Sequence, residues 1–194
     1  MRPLDIRKYK QEIREKGRAR RSEISPEQKT YLDGKIADNV RRLRQYSPAK
    51  TILIYVSTAI EIDTKKIIEN AWADGKRVAV PRCIPDTRNM EFHYIESFDD
   101  LKPGTFGVLE PAETLEMVEN FDGCLMIVPA IQFDLQGYRL GYGKGYYDRY
   151  MSRFTGVSAG LCYIEELRRH MYHGRFDKPV DIIVTDKCIR TCKK

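Results

Sequence analysis

Residues 123–131, GCLMIVPAI, form a continuous apolar run with no alternation of polar side chains. Such a run is typical of a central strand in a parallel sheet, because both faces of that strand are covered by other elements. The run is too short to cross a membrane, which takes about 20 apolar residues. A chain with this strand is expected to cover both sides of a sheet.

Helical and extended patterns alternate through the rest of the sequence. The further predicted strands are 51–56, 77–81, 90–95, 157–163 and 180–186, with 90–95 as an edge strand. The predicted helices are 4–22, 26–45, 64–74 and one that begins near Tyr146. Ser25 and Pro26 form a helix start, and Gly75 a helix end. The alternation predicts an α/β sheet flanked by helices, in one domain spanning residues 1–194.

The positive charge of the chain is concentrated in its first 22 residues. They carry nine Lys or Arg residues against three acidic ones, which accounts for the whole formal net charge of +6. Lys10 and Arg14, four residues apart, share one face of the predicted helix. The segment fits a solvated helix face, a nucleic-acid-binding arm or a wall of an anion site.

The cysteines and the hydropathy pattern predict a cytoplasmic protein without membrane association. The five cysteines are scattered and odd in number, which favours free thiols in a reducing compartment. No apolar segment follows the basic N-terminus, so no signal peptide is predicted. Cys188 and Cys192 lack the further ligands that a zinc site needs.

The apolar run leads directly into a glycine-rich segment, residues 134–150 (DLQGYRLGYGKGYYDRY). Ligands of open α/β sheets bind beyond the carboxyl ends of the strands, so this segment lies where a site is expected. Gly141, Gly143 and Gly145 alternate, and backbone N–H groups there can approach an anion without obstruction by a Cβ. The N-terminus of the following helix also favours negative charge.

Two cations in this segment, Arg139 and Lys144, would complete a phosphate-binding loop. It is not a Walker loop, because the GxxxxGK[ST] order is absent. The alternative is a glycine-rich turn whose Tyr146 and Tyr147 pack in the core. Asp148, on the first helical turn, is either a carboxylate favoured by the helix dipole or a ligand of Mg²⁺ beside phosphates.

Residues 128–150 (VPAIQFDLQGYRLGYGKGYYDRY) resemble the signature of the 5-formyltetrahydrofolate cyclo-ligase family, also called methenyltetrahydrofolate synthetases. Further segments agree in order along the chain. They are KQEIR (10–14), with Ile for the usual Leu, YVSTAIEIDT (55–64), GVLEP (107–111) and FDKPVDIIVTD (176–186). In the last of them Phe176 replaces the usual His.

The resemblance implies a three-layer α/β/α sandwich with a mostly parallel central sheet, in a soluble monomer. It also implies an ATP- and Mg²⁺-dependent ligase that closes 5-formyltetrahydrofolate to 5,10-methenyltetrahydrofolate. Transferred by position, the ATP-binding residues are Lys10, Arg14, Arg139, Leu140, Gly141, Tyr142, Gly143, Lys144, Gly145, Tyr146 and Tyr147. The folate-binding residues are Val56, Glu61 and Tyr147, the metal ligands Asp148 and Asp177, and the catalytic residues Lys144, Arg139 and Tyr147.

The implied chemistry explains these residue types. A formamide is a poor electrophile, and transfer of a phosphoryl group to its oxygen creates a leaving group for attack by N10 of the folate. Such a transfer needs positioning and positive charge rather than a protein nucleophile. Glu61 would accept hydrogen bonds from pterin N–H groups, or would be an ordinary loop charge. Asp177 would be a metal ligand or a turn residue.

Two other functions remain open at this point. The basic helix could belong to a nucleic-acid-binding module, although the remainder of the chain has equal numbers of basic and acidic residues. The fold could also serve an ATP-dependent enzyme for another formyl or acyl compound. On the ligase interpretation we expect small-molecule substrates and no nucleic acid. The three histidines are expected to be structural or at the surface. Arg18, Arg20 and Arg21 are expected to be solvated, and Arg82 could meet the glutamate tail of a folate.

Overall fold

The computed structural model describes residues 5–192, apart from the side chain of residue 106. The helices of this part of the chain are α1 (Ile6–Ser22), α2 (Pro26–Arg41), α3 (Lys65–Ala73) and α4 (Tyr146–Met151). The strands are β1 (Thr51–Ile54), β2 (Arg77–Cys83), β3 (Met90–Ile95), β4 (Leu101–Pro103), β5 (Leu109–Pro111), β6 (Cys124–Val128), β7 (Gln132–Asp134), β8 (Arg139–Leu140), β9 (Val157–Leu161), β10 (Leu167–Arg168), β11 (Ile182–Val184) and β12 (Ile189–Thr191). Short 3₁₀ turns span Phe98–Asp100, Thr105–Gly107 and Ile164–Glu166.

Seven strands form the central sheet in the order β12–β11–β9–β6–β1–β2–β3. The five inner strands run parallel, and β3 and β12 close the two edges in antiparallel fashion. The apolar run predicted as a central strand is β6, which pairs with β1 and β9. The prediction of a mostly parallel sheet with 90–95 at an edge is therefore confirmed.

Successive residues of the inner strands bury their side chains on opposite faces of the sheet. In β1, Ile52 and Ile54 join the core that contains α2 and α3, whereas Leu53 joins a second core on the other face. The second core includes Tyr150 of α4 and Phe133 of β7. A sheet covered on both faces is the layered α/β arrangement that the sequence predicts.

The start of α2 follows the predicted capping chemistry. The Oγ of Ser25 accepts a hydrogen bond from the N–H of Gln28 at 3.2 Å, and Pro26 is the first residue of α2. α2 ends at Arg41 instead of near Gln45, because the chain turns there to bury Leu43 and Tyr46. The predicted helical residue 4 lies outside the described residues.

Two small sheets were not predicted. β7, β8 and β10 form one of them, and β4 and β5 form the other. The strands involved are two or three residues long, too short for an alternating pattern to be visible in the sequence. The β7–β8 hairpin matters for function, because it carries the chain from β6 to the glycine-rich loop.

Candidate active site

A cavity of about 970 Å³ opens at the carboxyl ends of the parallel strands. Tyr55 and Val56 follow β1, Pro81 and Cys83 close β2, and Pro129 follows β6. Every residue predicted to bind ATP, folate or metal lines this cavity. The sequence segments that carry them are far apart, so the fold itself brings them together.

The glycine-rich loop takes a conformation that glycine permits most easily. Gly143 and Gly145 have positive φ angles of 89° and 77°, which other residues rarely adopt. A Cβ at Gly143 would lie 3.2 Å from the guanidinium of Arg14, so the glycine also admits that cation. α4 begins directly after Gly145 but has only six residues. The loop N–H groups and side-chain cations must therefore supply most of the attraction for an anion.

Helix α1 places three cations along the cavity. The Nε of Arg14 donates to the carbonyl oxygen of Gly141 at 2.9 Å, and Lys10 forms an ion pair with Asp177. The guanidinium of Arg18 lies 5.5 Å from the centre of the Tyr142 ring. Burial and the nearby charge of Arg18 lower the pKa of Arg14, which is the effect expected among crowded cations.

The two predicted metal ligands are each held by a cation. The Oδ1 of Asp148 accepts from Nη2 of Arg139 at 2.6 Å and from the N–H of Lys178 at 3.1 Å. The Oδ2 of Asp177 pairs with Lys10 and accepts from the N–H of Gly174 at 2.8 Å. The described residues contain no cluster of three or more acidic, His or Cys side chains that could hold a metal alone. Two carboxylates suit an Mg²⁺ ion that takes its remaining ligands from phosphates and water.

Arg139 is almost completely buried, and protein groups surround its guanidinium. Besides Asp148 it donates to the carbonyl oxygen of Lys178 at 2.6 Å, and its Nη1 lies 3.1 Å from the Sδ of Met151. Burial lowers the pKa of this guanidinium, and the charge of Asp148 opposes that effect. The Arg139 guanidinium thus joins the Asp148 carboxylate to the backbone of Lys178.

Glu61 lines the same cavity as Tyr142 of the glycine-rich loop and Tyr147 of α4. The Oε2 of Glu61 accepts from the N–H and hydroxyl of Thr58, at 2.8 and 2.9 Å. Both tyrosine hydroxyls are buried; that of Tyr147 has no hydrogen-bond partner among the described residues, whereas that of Tyr142 interacts with Glu61. Burial and the charge of Glu61 raise the pKa of both hydroxyls, so they remain protonated and able to donate.

Tyr147 packs in the core, and its assignment to a ligand stays a prediction. The centre of its ring lies 6.5 Å from that of Phe92 in an edge-to-face arrangement, and the ring packs against both cores. The residue also lines the cavity. An unpaired buried hydroxyl is costly, so a polar ligand would relieve that cost. Tyr146 instead donates its hydroxyl to the carbonyl oxygen of Thr87 at 3.3 Å.

A family described as the 5-formyltetrahydrofolate cyclo-ligase family matches residues 6–186. This chain belongs to that family. The cyclo-ligase of Escherichia coli K12 is 31% identical over 176 residues, covering 87% of this chain and 95% of that protein. The resemblance drawn from the glycine-rich segment is thereby confirmed, and the chain is a ligase.

Two solved structures of the family are also similar in fold. The NMR structure of Aquifex aeolicus 5,10-methenyltetrahydrofolate synthetase has a TM-score of 0.83 and 31% identity, covering 95% of this chain and 93% of that one. The synthetase from Mycoplasma pneumoniae has a TM-score of 0.74 and 25% identity, covering 94% of this chain and 99% of that one. The layered architecture of this cyclo-ligase is therefore the family's.

Several residues of the cyclo-ligase were misjudged from the sequence. Arg21, expected to be solvated, is buried with 6% exposure because Glu166 and backbone carbonyls satisfy its guanidinium. Arg82 pairs with Glu113 at 2.7 Å and does not line the cavity, whereas Arg88 does. Arg18 lines it too. Arg14 and Arg18 are four residues apart and therefore lie on one face of α1, which could have indicated the position of Arg18 from the sequence.

The remaining cysteine and histidine expectations agree with the cyclo-ligase structure. All five cysteines are free. The Nδ1 of His93 lies 2.8 Å from the carbonyl oxygen of Leu115, and His173 stacks on Tyr138 at 3.6 Å. None of the histidines lines the cavity. Among residues 5–192, no helix has the length and apolar character of a membrane span.

Proposed function

We propose that this single-domain enzyme uses ATP to close 5-formyltetrahydrofolate to 5,10-methenyltetrahydrofolate, with release of ADP and phosphate. The observation that carries the proposal is that one cavity joins two chemically different sets of groups. Loop glycines and cations line it together with the Glu61 carboxylate and the Tyr147 hydroxyl. A bisubstrate reaction needs both sets within reach of each other.

The triphosphate would lie against the loop from Arg139 to Tyr147. Its N–H groups can approach phosphate oxygens, since Gly143 and Gly145 leave the backbone uncovered. Lys10, Arg14 and Lys144 supply positive charge from two directions. Lys144 is the residue we assign to the transferred phosphoryl group, where an ammonium can follow developing charge.

Asp148 and Asp177 would hold Mg²⁺ together with phosphate oxygens. The ion would neutralise charge on the phosphates. Because Lys10 now pairs with Asp177, binding of Mg-ATP would exchange partners, with the cation going to phosphate and the carboxylate to metal. Arg139 would keep Asp148 in position during that exchange.

The pterin would lie against Glu61, whose free lone pairs can accept its N–H groups. Val56 and the ring of Tyr147 would contact its apolar surface, and the Tyr147 hydroxyl would donate to the ligand. The formyl oxygen must then face the γ-phosphoryl group held by Lys144. Phosphorylation of that oxygen, attack by N10 on the formyl carbon and departure of phosphate complete the ring.

The experiment is a turnover assay with 5-formyltetrahydrofolate, with and without ATP and Mg²⁺. We expect formation of the methenyl product only with both, together with one ADP per product. Turnover of another formyl or acyl compound in preference to the folate would favour the related alternative function. The free thiols and the small-molecule site further suggest a cytoplasmic enzyme, and we infer a monomer, since one chain supplies both sets of groups in the cavity.

A further inference from the structure

Arg21, near the end of α1, is an arginine that the enzyme buries away from solvent. Its Nε and Nη2 donate to the two carboxylate oxygens of Glu166, both at 2.7 Å. The Nη2 also donates to the carbonyl oxygens of Ala130 at 2.8 Å and Ile131 at 3.1 Å, and Nη1 donates to that of Ile60 at 3.4 Å. One guanidinium thus joins three chain segments to α1.

Two of these three segments lead into the site. Ile60 directly precedes Glu61, the carboxylate assigned to the folate. Ala130 and Ile131 connect β6 to the hairpin that carries the glycine-rich loop. Glu166 lies in the 3₁₀ turn after β9 and is 1% exposed. Arg21 therefore contacts the backbone next to Glu61 and the backbone that leads to the glycine-rich loop, but does not line the cavity itself.

Gly17 allows α1 to lie close enough for these bonds. It is buried one helical turn before Arg21, and a Cβ added there would overlap the Cγ2 of Ile131. Lys10, Arg14 and Arg18 project from the same helix into the cavity. From Lys10 to Arg21 the helix rises about 16 Å, so its position at the Arg21 end sets where those cations stand.

We propose that Arg21, with its partner Glu166, is a positioning residue that fixes the spacing between the ATP-binding cations and Glu61. This inference rests on the proposed function. A buried ion pair is weak support for stability, because desolvation offsets its attraction. A rigid fork that satisfies three carbonyls and one carboxylate is well suited to fixing geometry.

The first test is Arg21→Lys, which keeps the charge but loses the fork. We expect KM for Mg-ATP and KM for 5-formyltetrahydrofolate both to rise by about tenfold to a hundredfold, the scale of a misplacement near 1 Å. The matched control is Val40→Ala in α2, a buried residue of the core on one face of the sheet. That variant should lose thermal stability yet keep both KM values.

The second test is Gly17→Ala, which removes no charge and no hydrogen bond. The added methyl would overlap the Cγ2 of Ile131, which is fully buried and has little room to move, so we expect α1 to shift and both KM values to rise again, although alanine favours a helix. The proposal is wrong if the folded Arg21→Lys and Gly17→Ala proteins keep the parental KM for either substrate. Failure of both variants to fold would make the role structural and would overturn it equally.

Equilibrium titrations of ATP and of the folate with each variant accompany the kinetics. These titrations test the positioning role separately from the proposed function. If the parent protein shows no turnover, the proposed function is wrong, but the ligand affinities of the parent and the variants can still be compared. If the variants bind both ligands with parental affinity, the positioning role is wrong.

Discussion

Lys10 on α1 and Asp177 near the C-terminus form an ion pair within the lining of the cavity, 167 residues apart in sequence. Both side chains are largely buried, with 17% and 22% exposure. Without ligands, a predicted phosphate-binding cation and a predicted metal ligand thus satisfy each other. On the proposed function, binding of Mg-ATP replaces this pair by two new ones.

Asp177→Asn should change ATP affinity in opposite directions with and without Mg²⁺. Without the metal, Lys10 is released to the phosphates, and affinity should rise about two- to fivefold, the worth of a partly exposed pair. With Mg²⁺, the lost carboxylate ligand should lower the affinity. Calorimetric titration of ATP in EDTA and in Mg²⁺ measures both; unchanged affinity in both conditions would mean that Asp177 is only a turn residue.

Lys144→Ala should lower kcat/KM by about 10²–10³, the scale of losing one preorganised electrostatic contact in a transition state. Folate affinity without ATP should stay within a few-fold of the parent, because Lys144 lies on the phosphate-binding loop. Steady-state kinetics with a parallel melting curve measure this. Near-parental turnover would refute the assignment of the loop as a phosphate site.

Asp148→Asn should change both the Mg²⁺ requirement and the stability of the protein. The Mg²⁺ concentration needed for activity should rise, since an amide is a poorer ligand. The buried guanidinium of Arg139 loses its charged partner, so stability should fall by about 1–3 kcal/mol. Activity across a Mg²⁺ series and thermal melting report the two effects. A stability loss without any change in the Mg²⁺ requirement would leave Asp148 a purely structural carboxylate.

The glycine-rich loop could be recognised from the sequence because its characteristic residues are close together in the chain. Alternating glycines, Lys144 and Asp148 stand within eight residues of one another. Arg21 could not be recognised, because its role depends on carbonyl groups of Ile60 and Ala130 that only the fold brings near. The ion pair of Lys10 likewise depends on a distant loop.

Glu61→Gln should weaken folate binding by about tenfold to a hundredfold, since a buried hydrogen bond to a charged group is worth about 1.5–3 kcal/mol. ATP affinity should change far less, because Glu61 is assigned to the pterin and not to the phosphates. The matched control is Glu110→Gln, another carboxylate of the cavity lining that we do not assign to the pterin. Separate titrations with each ligand measure both variants. Unchanged folate affinity in a folded Glu61→Gln protein would contradict the assignment.

The thiol of Cys83 in the cavity lining offers a test of ligand occupancy. Burial and the charge of Glu110 raise its pKa to about 11, so at pH 8 it is protonated and should react slowly with alkylating reagents. The rate should increase as the pH rises towards 11, because the thiolate population grows. Mass spectrometry after timed alkylation should show slower labelling with folate and Mg-ATP bound; equal rates would place the ligands elsewhere.

In the proposed reaction the enzyme transfers a phosphoryl group to the formyl oxygen, which then leaves within the phosphate. The most direct measurement uses 5-formyltetrahydrofolate labelled with ¹⁸O in the formyl group, followed by mass analysis of the released phosphate. We predict one labelled oxygen in each phosphate, formed together with one ADP and one methenyl product. Unlabelled phosphate would show that ATP is hydrolysed by water, and the account of this site would be wrong.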